Sequence, residues 1–284
     1  CQDVRYQYQY RYFDSVGKSR VEGYVTPHLY AETLSLYGDG KRLVTFLIHN
    51  VHPTTKELWV GDFTAEYPGY CIEKLRQEYP GEFFTFLLGP AGDISPHFVR
   101  KERTYEEMIR LAELLRQEFD TQLRAQTPDA LKPVRLRFEQ TTFPKERVPV
   151  ERSRMEIPTH CFPEEQKVLA QLDGTAPMRP RRELRPFEQV KEYHVSHLIF
   201  SEEYSIIFEP FELYSEYYGA VNKSRCTIAT ISNGFEHYLT GWYLRRLSMH
   251  GSLSGFSDGM RKRLWEILGR WSCQETLLQE ENRP

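Results

Sequence analysis

Apolar and polar positions change period several times along the chain, and each change marks an element. Tyr6 to Tyr12 alternates aromatic with polar residues, the two-residue period of a half-buried strand. Val25 to Tyr37 reads as extended. Gly38-Asp39-Gly40 behind it reads as a tight turn between strands, because glycine and aspartate accept positive φ. Leu43 to His49 is an unbroken apolar run of strand length, the pattern of a strand covered on both faces. Glu82 to Leu88 repeats that pattern. Tyr67 to Gln77 has helical spacing. Tyr105 to Arg124 is the clearest helix, with Met108, Leu111, Leu115 and Phe119 on one face and a Thr104/Glu107 capping box at its start. Val134 to Thr142 alternates again. Tyr193 to Phe200 and Tyr204 to Phe208 read as a hairpin turning at Ser201-Glu202-Glu203. Phe211 to Ala220 reads as a helix, Thr227 to Ile231 as a strand, and Asp258 to Arg270 as the last helix. Pro144 to Pro186, rich in proline and charge, reads as a surface excursion with a short helix near Glu164 to Leu172.

Strands and helices alternating over most of the chain predict an α/β fold, a mixed sheet with flanking helices, in a single domain over residues 1–272 with a flexible tail at 273–284. In such folds chemistry gathers in loops beyond the carboxyl ends of strands. Four loops qualify, carrying His52, Asp93 with Ser95, Glu209, and Tyr238.

The 284 residues are enough to bury about three quarters of the unfolded surface, so a sizeable core is available. Lys and Arg number 37 against 40 Asp and Glu, and the net charge of −3 gives no overall drive toward nucleic acid or anionic membrane. The longest apolar runs fall far below the ~20 residues that span a bilayer. The 18 Tyr and 17 Phe point to a large β-rich core or to an aromatic-lined pocket. Five widely spaced cysteines (Cys1, Cys71, Cys161, Cys226 and Cys273), none in a CxxC pair, argue against a disulfide framework and a thiolate zinc knuckle. Reduced cysteines in a cytoplasmic protein are the expectation. No signal-peptide pattern opens the sequence. Cys1 is expected to be an internal residue of a longer parent; the competing readings are a processed end and an N-terminal nucleophile using its own amine as base.

Three segments hold reactive side chains. His49 and His52, three apart just past a strand, could bind a metal or could be hydrogen-bonded structural residues. In Gly89-Pro90-Ala91-Gly92-Asp93-Ile94-Ser95-Pro96 the glycines allow close backbone approach, and Ser95 could touch or attack a substrate; the bland reading is an Asx turn. No G-x-S-x-G elbow is present. Glu209 precedes Pro210-Phe211, where a carboxylate could serve the helix dipole or hold a metal. The basic run Arg179 to Arg185 reads as a solvated loop. His194 and His197 fall on opposite faces of a strand and read as structural. His237 could orient its neighbour Tyr238.

The segments TFLIHNVHPTT (Thr45 to Thr55), EYPGY (Glu66 to Tyr70), FTFLLGPAGDISP (Phe84 to Pro96), IIFEPFELY (Ile206 to Tyr214) and ISNGFEHYLT (Ile231 to Thr240) resemble, in order and spacing, the neutral/alkaline non-lysosomal ceramidase-like family. The resemblance covers about Cys1 to Gly269, the C-terminal two thirds of that family's hydrolase domain. It implies a zinc-dependent amide hydrolase acting on a small-molecule or lipid-like N-acyl substrate. By motif it assigns zinc ligation to His52, Glu209 and Tyr238, and catalysis to Ser95 with Asp93. The family's other zinc histidine belongs to a T-H-T-H-S-G-P-like segment that this sequence does not contain, leaving His49 or His28 as substitutes. Phe208 stands where relatives favour glycine and Phe235 where tyrosine is common. With the sequence ending near Pro284, an immunoglobulin-like C-terminal domain is not expected, and a long acyl-sphingosine substrate is therefore not expected either.

The expected chemistry is attack of zinc-bound hydroxide on the amide carbon, with Ser95 hydrogen-bonding the substrate; the alternative makes Ser95 the nucleophile. Two further readings compete: a Cys1 amidase without metal, and a non-catalytic ligand-binding member of the family.

Overall fold

Strand β1 (Arg5–Tyr12) pairs antiparallel with β3 (Tyr30–Gly38) over eight residue pairs, with Tyr8 opposite Leu34. Numbering follows chain order. The computed structural model behind this description covers residues 3–21, 26, 28–55, 64–144, 192–232, 238–241 and 257–272. The expected helix near Glu164 to Leu172, the basic run Arg179 to Arg185, and Cys1, Phe235, His237 and the tail from Cys273 lie outside the described residues. Chain direction reverses after β3 through Asp39 and Gly40, at φ 51° and 74°, the positive values the turn chemistry requires. Strand β4 (Lys41–His49) follows. Helix α1 (Glu66–Glu78) separates it from its parallel neighbour β5 (Phe83–Leu88). With β7 (Lys132–Pro133) the first sheet has the order β5-β4-β3-β1-β7.

The second sheet has the order β12-β10-β9-β8, from β8 (Arg137–Pro144), β9 (Glu192–Ser201), β10 (Tyr204–Phe208) and β12 (Cys226–Ala229). Strands β9 and β10 form the expected hairpin, and β10 runs parallel to β12. The mixed α/β pairing is therefore distributed over two main sheets. Two small ladders complete it: β2 (Lys18–Ser19) with β6 (Ile94–Ser95), and β11 (Glu212–Leu213) with β13 (Tyr238–Leu239). The remaining long helices are α2 (Tyr105–Arg124) and α3 (Asp258–Ser272).

Period-2 alternation sorts the side chains into layers. Ala31, Leu47 and Phe84 face α1 and α2, packing on Leu75, Leu111, Leu115 and Phe119. Tyr6, Leu34 and Phe46 point the other way and meet Phe200, Tyr204, Ile206 and Ala229 of the second sheet. The far face of that sheet, including Val195, Ile207 and Ile228, packs on Met260, Leu264 and Leu268 of α3. The architecture is thus helix, sheet, sheet, helix, each apolar face covered by the next layer.

Several expectations are corrected. Phe211 to Ala220 is not an α-helix but β11 followed by a 3₁₀ turn at Ser215–Ala220. Backbone partners elsewhere in the chain win over local ones: Leu213 O accepts from Gly92 N, and Tyr214 N donates to Leu239 O. Leu43 is 45% exposed and Phe83 56%; β4 is buried only toward its carboxyl end, and β5 is fully buried only at Phe84. The strand expected at Val134 to Thr142 begins at Arg137, because residues 134 and 135 cross between sheets, Val134 N donating to Val4 O and Arg135 N to Phe200 O. At α2, Thr104 Oγ1 accepts from Glu107 N at 3.2 Å as the capping box requires, while the Glu107 carboxylate instead takes Lys101 N and Arg110.

Candidate functional site

The histidine loop leaves β4 under tight control. His49 Nδ1 lies 2.7 Å from Tyr30 O, and Gly89 N donates to His49 O. Asn50, fully buried, accepts from Tyr30 N and donates to His28 O and Pro90 O. Tyr67 OH donates to Val51 O, Arg100 donates to Thr54 O, and Thr55 N donates to the Glu66 carboxylate. His52 itself is buried. Its N–H donates to Ile94 O at 3.2 Å, and its imidazole stands edge-on to the Tyr238 ring with centroids 6.1 Å apart. The HPTT loop thereby touches both the GDISP loop and β13.

The GDISP loop is clamped by its aspartate. Asp93 Oδ1 accepts from Ser215 N at 2.7 Å, and Oδ2 from Ser215 Oγ at 2.9 Å and Ser19 Oγ at 3.0 Å. Burial raises its carboxyl above the ordinary value against the opposing pull of those hydrogen bonds. Gly92 lies so close to β11 that an added Cβ would sit 2.5 Å from Tyr214 Cδ1 and 2.9 Å from Glu212 O. Ser95 is buried in β6, and its Oγ accepts from His97 N at 3.2 Å. Among the described residues no imidazole or carboxylate hydrogen-bonds to Ser95 Oγ.

Glu209 ends β10 and is fully buried. Its Oε2 accepts from Phe211 N at 2.7 Å, while Oε1 has no hydrogen-bond partner among the described residues. Burial pushes its carboxyl well above the usual range. Tyr238 pairs with Glu212 in the β11–β13 ladder, and the Glu212 carboxylate lies close enough to its phenol to act on it. Burial first, then the Glu212 charge, holds the phenol neutral. Arg20 lies near enough to pull the other way.

Contacts therefore join His52, the Asp93–Ser95 loop and Tyr238 directly; Glu209 stands three residues before β11, the strand on which that loop and β13 both bond. The two proposed substitutes sit elsewhere. His28 lies beside Tyr30 and Gly219, and His49 against Phe13. Burial lowers His49 to about 4, so it is neutral. His197 is buried and His194 exposed, as their spacing requires.

Among the described residues no group of three or more His, Cys, Asp or Glu could hold a metal ion. The motif-matched set is one imidazole, one carboxylate and one phenol. In kind these donors fit zinc, which takes nitrogen and oxygen ligands. Glu209 Oε1, buried and unpartnered among the described residues, is an oxygen whose desolvation a cation would offset. Asn50, Ser215, Ser19 and Glu212 were not singled out by sequence reasoning. Asn50 had one available signal, its place between a strand end and the HPTT loop.

No family model matches the sequence, and no curated protein matches it. Solved structures match the fold, ceramidases among them. A ceramidase described as complexed with C2 superposes at TM-score 0.68 and 12% identity, covering 99% of this chain and 54% of that one. The neutral ceramidase from Pseudomonas aeruginosa superposes at TM-score 0.67 and 13% identity, covering 99% of this chain and 53% of that one. The chain has a ceramidase-like fold and spans about half the length of those proteins. No helix among the described residues is long and apolar enough to cross a membrane.

Proposed function

We propose that the chain is the larger part of a hydrolase domain that cleaves an amide bond, N-acyl and small-molecule or lipid-like, with the help of zinc. The observation that supports this most is convergence. Four segments far apart in sequence meet at one end of the fold: His52 N on Ile94 O, Asp93 on Ser215, and the His52 ring on Tyr238. They belong to, or directly adjoin, four of the five segments that carry the motif resemblance.

His52, Glu209 Oε1 and the Tyr238 phenol would hold the ion. Bound zinc acts as a Lewis acid on the carbonyl and lowers the pKa of water toward about 7. Ser95 hydrogen-bonds the substrate. Asp93 fixes the loop that carries Ser95 and acts through it, a positioning residue. Glu212 lies close enough to the phenol of Tyr238 to act on it.

The test is hydrolysis of fluorogenic N-acyl amides by the zinc-loaded protein. Turnover removed by chelator, restored by zinc and lowered at least about a hundredfold by Glu209→Gln supports the reading. Turnover indifferent to chelator and to Glu209→Gln overturns it.

A further inference from the structure

Between the two sheets, apart from the loops of the site, a buried ammonium group stands in a box of aromatic rings. Lys223 lies in the turn ahead of β12 and directs its side chain inward, leaving it 9% exposed. Its Nζ is 4.5 Å from the ring centre of Tyr218, 5.5 Å from Tyr30, 5.6 Å from Tyr8 and 5.8 Å from Tyr10. Glu32 Oε2 lies 2.5 Å from it and Thr227 Oγ1 3.3 Å. Glu32 is fully buried and fixed in turn: Tyr218 OH donates to Oε1 at 2.8 Å, and Tyr8 and Thr227 hydroxyls donate to Oε2.

A lysine buried only to neutralise a carboxylate needs that carboxylate and little else. Four ring faces, all within about 6 Å of one nitrogen, are the cation–π geometry by which proteins recognise alkylammonium ligands. The walls come from the first sheet and the 3₁₀ turn, while Lys223 enters from the turn ahead of the second sheet's β12, so the fold builds the box, not a local run of sequence. Tyr10 remains 38% exposed, which places one wall at the surface.

We propose that this box is an alkylammonium-binding site whose occupant is the chain's own Lys223, and that it takes a small primary or methylated ammonium ion when that side chain is removed. Tethering accounts for the resting occupant. An attached ligand acts at millimolar or higher effective concentration, so free ammonium ions do not compete in the intact protein. The proposal does not depend on the hydrolase reading.

Lys223→Ala leaves Glu32 buried without its counter-ion, and its melting temperature falls. Thermal unfolding is then followed with methylammonium, ethylammonium and tetramethylammonium chloride, each against sodium chloride at equal ionic strength. The expected result is saturable recovery of the melting temperature by at least one of these ions in Lys223→Ala, and none in the parent protein. Adding Tyr10→Leu, which removes one wall without touching a Glu32 hydrogen bond, raises the half-saturating concentration about threefold. Should Lys223→Ala fail to fold, Lys223→Ala/Glu32→Gln removes the uncompensated charge and is read in the same way, with weaker but still saturable binding. A response to every ammonium ion no larger than that to sodium chloride, in whichever of the two variants folds, overturns the proposal.

Discussion

Replacing Asp93 by alanine tests the clamp that holds the site together. The substitution strands Ser215 N–H and the Ser215 and Ser19 hydroxyls, three buried donors now 2.7, 2.9 and 3.0 Å from the carboxylate. Hydrogen bonds to a charged group contribute roughly 1.5–3 kcal/mol each. Two opposing effects reduce the total. The hydroxyls can rotate toward other acceptors, and removing a carboxylate whose burial disfavours ionisation relieves a desolvation cost. A net loss of about 3–4 kcal/mol remains, within the 5–15 kcal/mol of a typical domain, so the variant still folds. Asp93→Asn keeps an acceptor for Ser215 N–H and gives the two hydroxyls a donor to face, so its cost is about 1 kcal/mol. Urea unfolding measures both. With a slope near 3 kcal/mol/M for a chain of this size, the midpoint drops by about 1 M for alanine and about 0.3 M for asparagine at unchanged slope. Equal losses for the two variants, or a drop below about 0.3 M for alanine, would refute the clamp.

The remaining expectations concern other parts of the chain. Gly92→Ala places a methyl 2.5 Å from Tyr214 Cδ1 and 3.0 Å from Leu213 O, so it separates the GDISP loop from β11; a crystal structure of the variant is expected to show that loop displaced and Asp93 parted from Ser215. His197 is buried against Trp271, rings 4.8 Å apart, with Glu139 at 3.8 Å and Arg137 nearby; burial first, then Arg137, lowers it to about 4. The unfolded chain therefore binds a proton between about pH 6.5 and 4 that the folded chain refuses, and up to about 3 kcal/mol present above pH 6.5 is lost as pH falls toward 4. His197→Phe is expected to flatten that part of the stability–pH curve, and an unchanged curve would count against the buried neutral imidazole. Thr104→Ala removes the one side-chain cap of α2 and is expected to cost about 1 kcal/mol in urea unfolding.

Elements specified by their own sequence were legible. The apolar face of α2 with Thr104 before it, the Asp39-Gly40 turn, and the β9–β10 hairpin each carry a local signal, and each forms as expected. Elements specified by distant partners were not. Phe211 to Ala220 has a helix-like composition, but Gly92, Leu239 and Asp93, all remote in sequence, claim its backbone groups. The division of strands between two sheets was hidden for the same reason, because alternation gives a strand two faces without naming what covers each. At the site, His52, Asp93, Ser95, Glu209 and Tyr238 could be named from motifs. What holds them could not: Ser19, Ser215 and Glu212 are ordinary residues in ordinary contexts. Glu32 and Lys223, 191 positions apart in sequence, pair only once both sheets have formed.

The central claim, that His52, Glu209 and Tyr238 present one metal-binding set, is tested most directly by zinc titration calorimetry on this chain. The expected result is a saturable binding heat with a stoichiometry near one zinc per chain, lost in Glu209→Gln and in His52→Ala while both variants keep the parent's circular dichroism. Absence of saturable binding in the parent chain, or binding unaffected by either substitution, would contradict it.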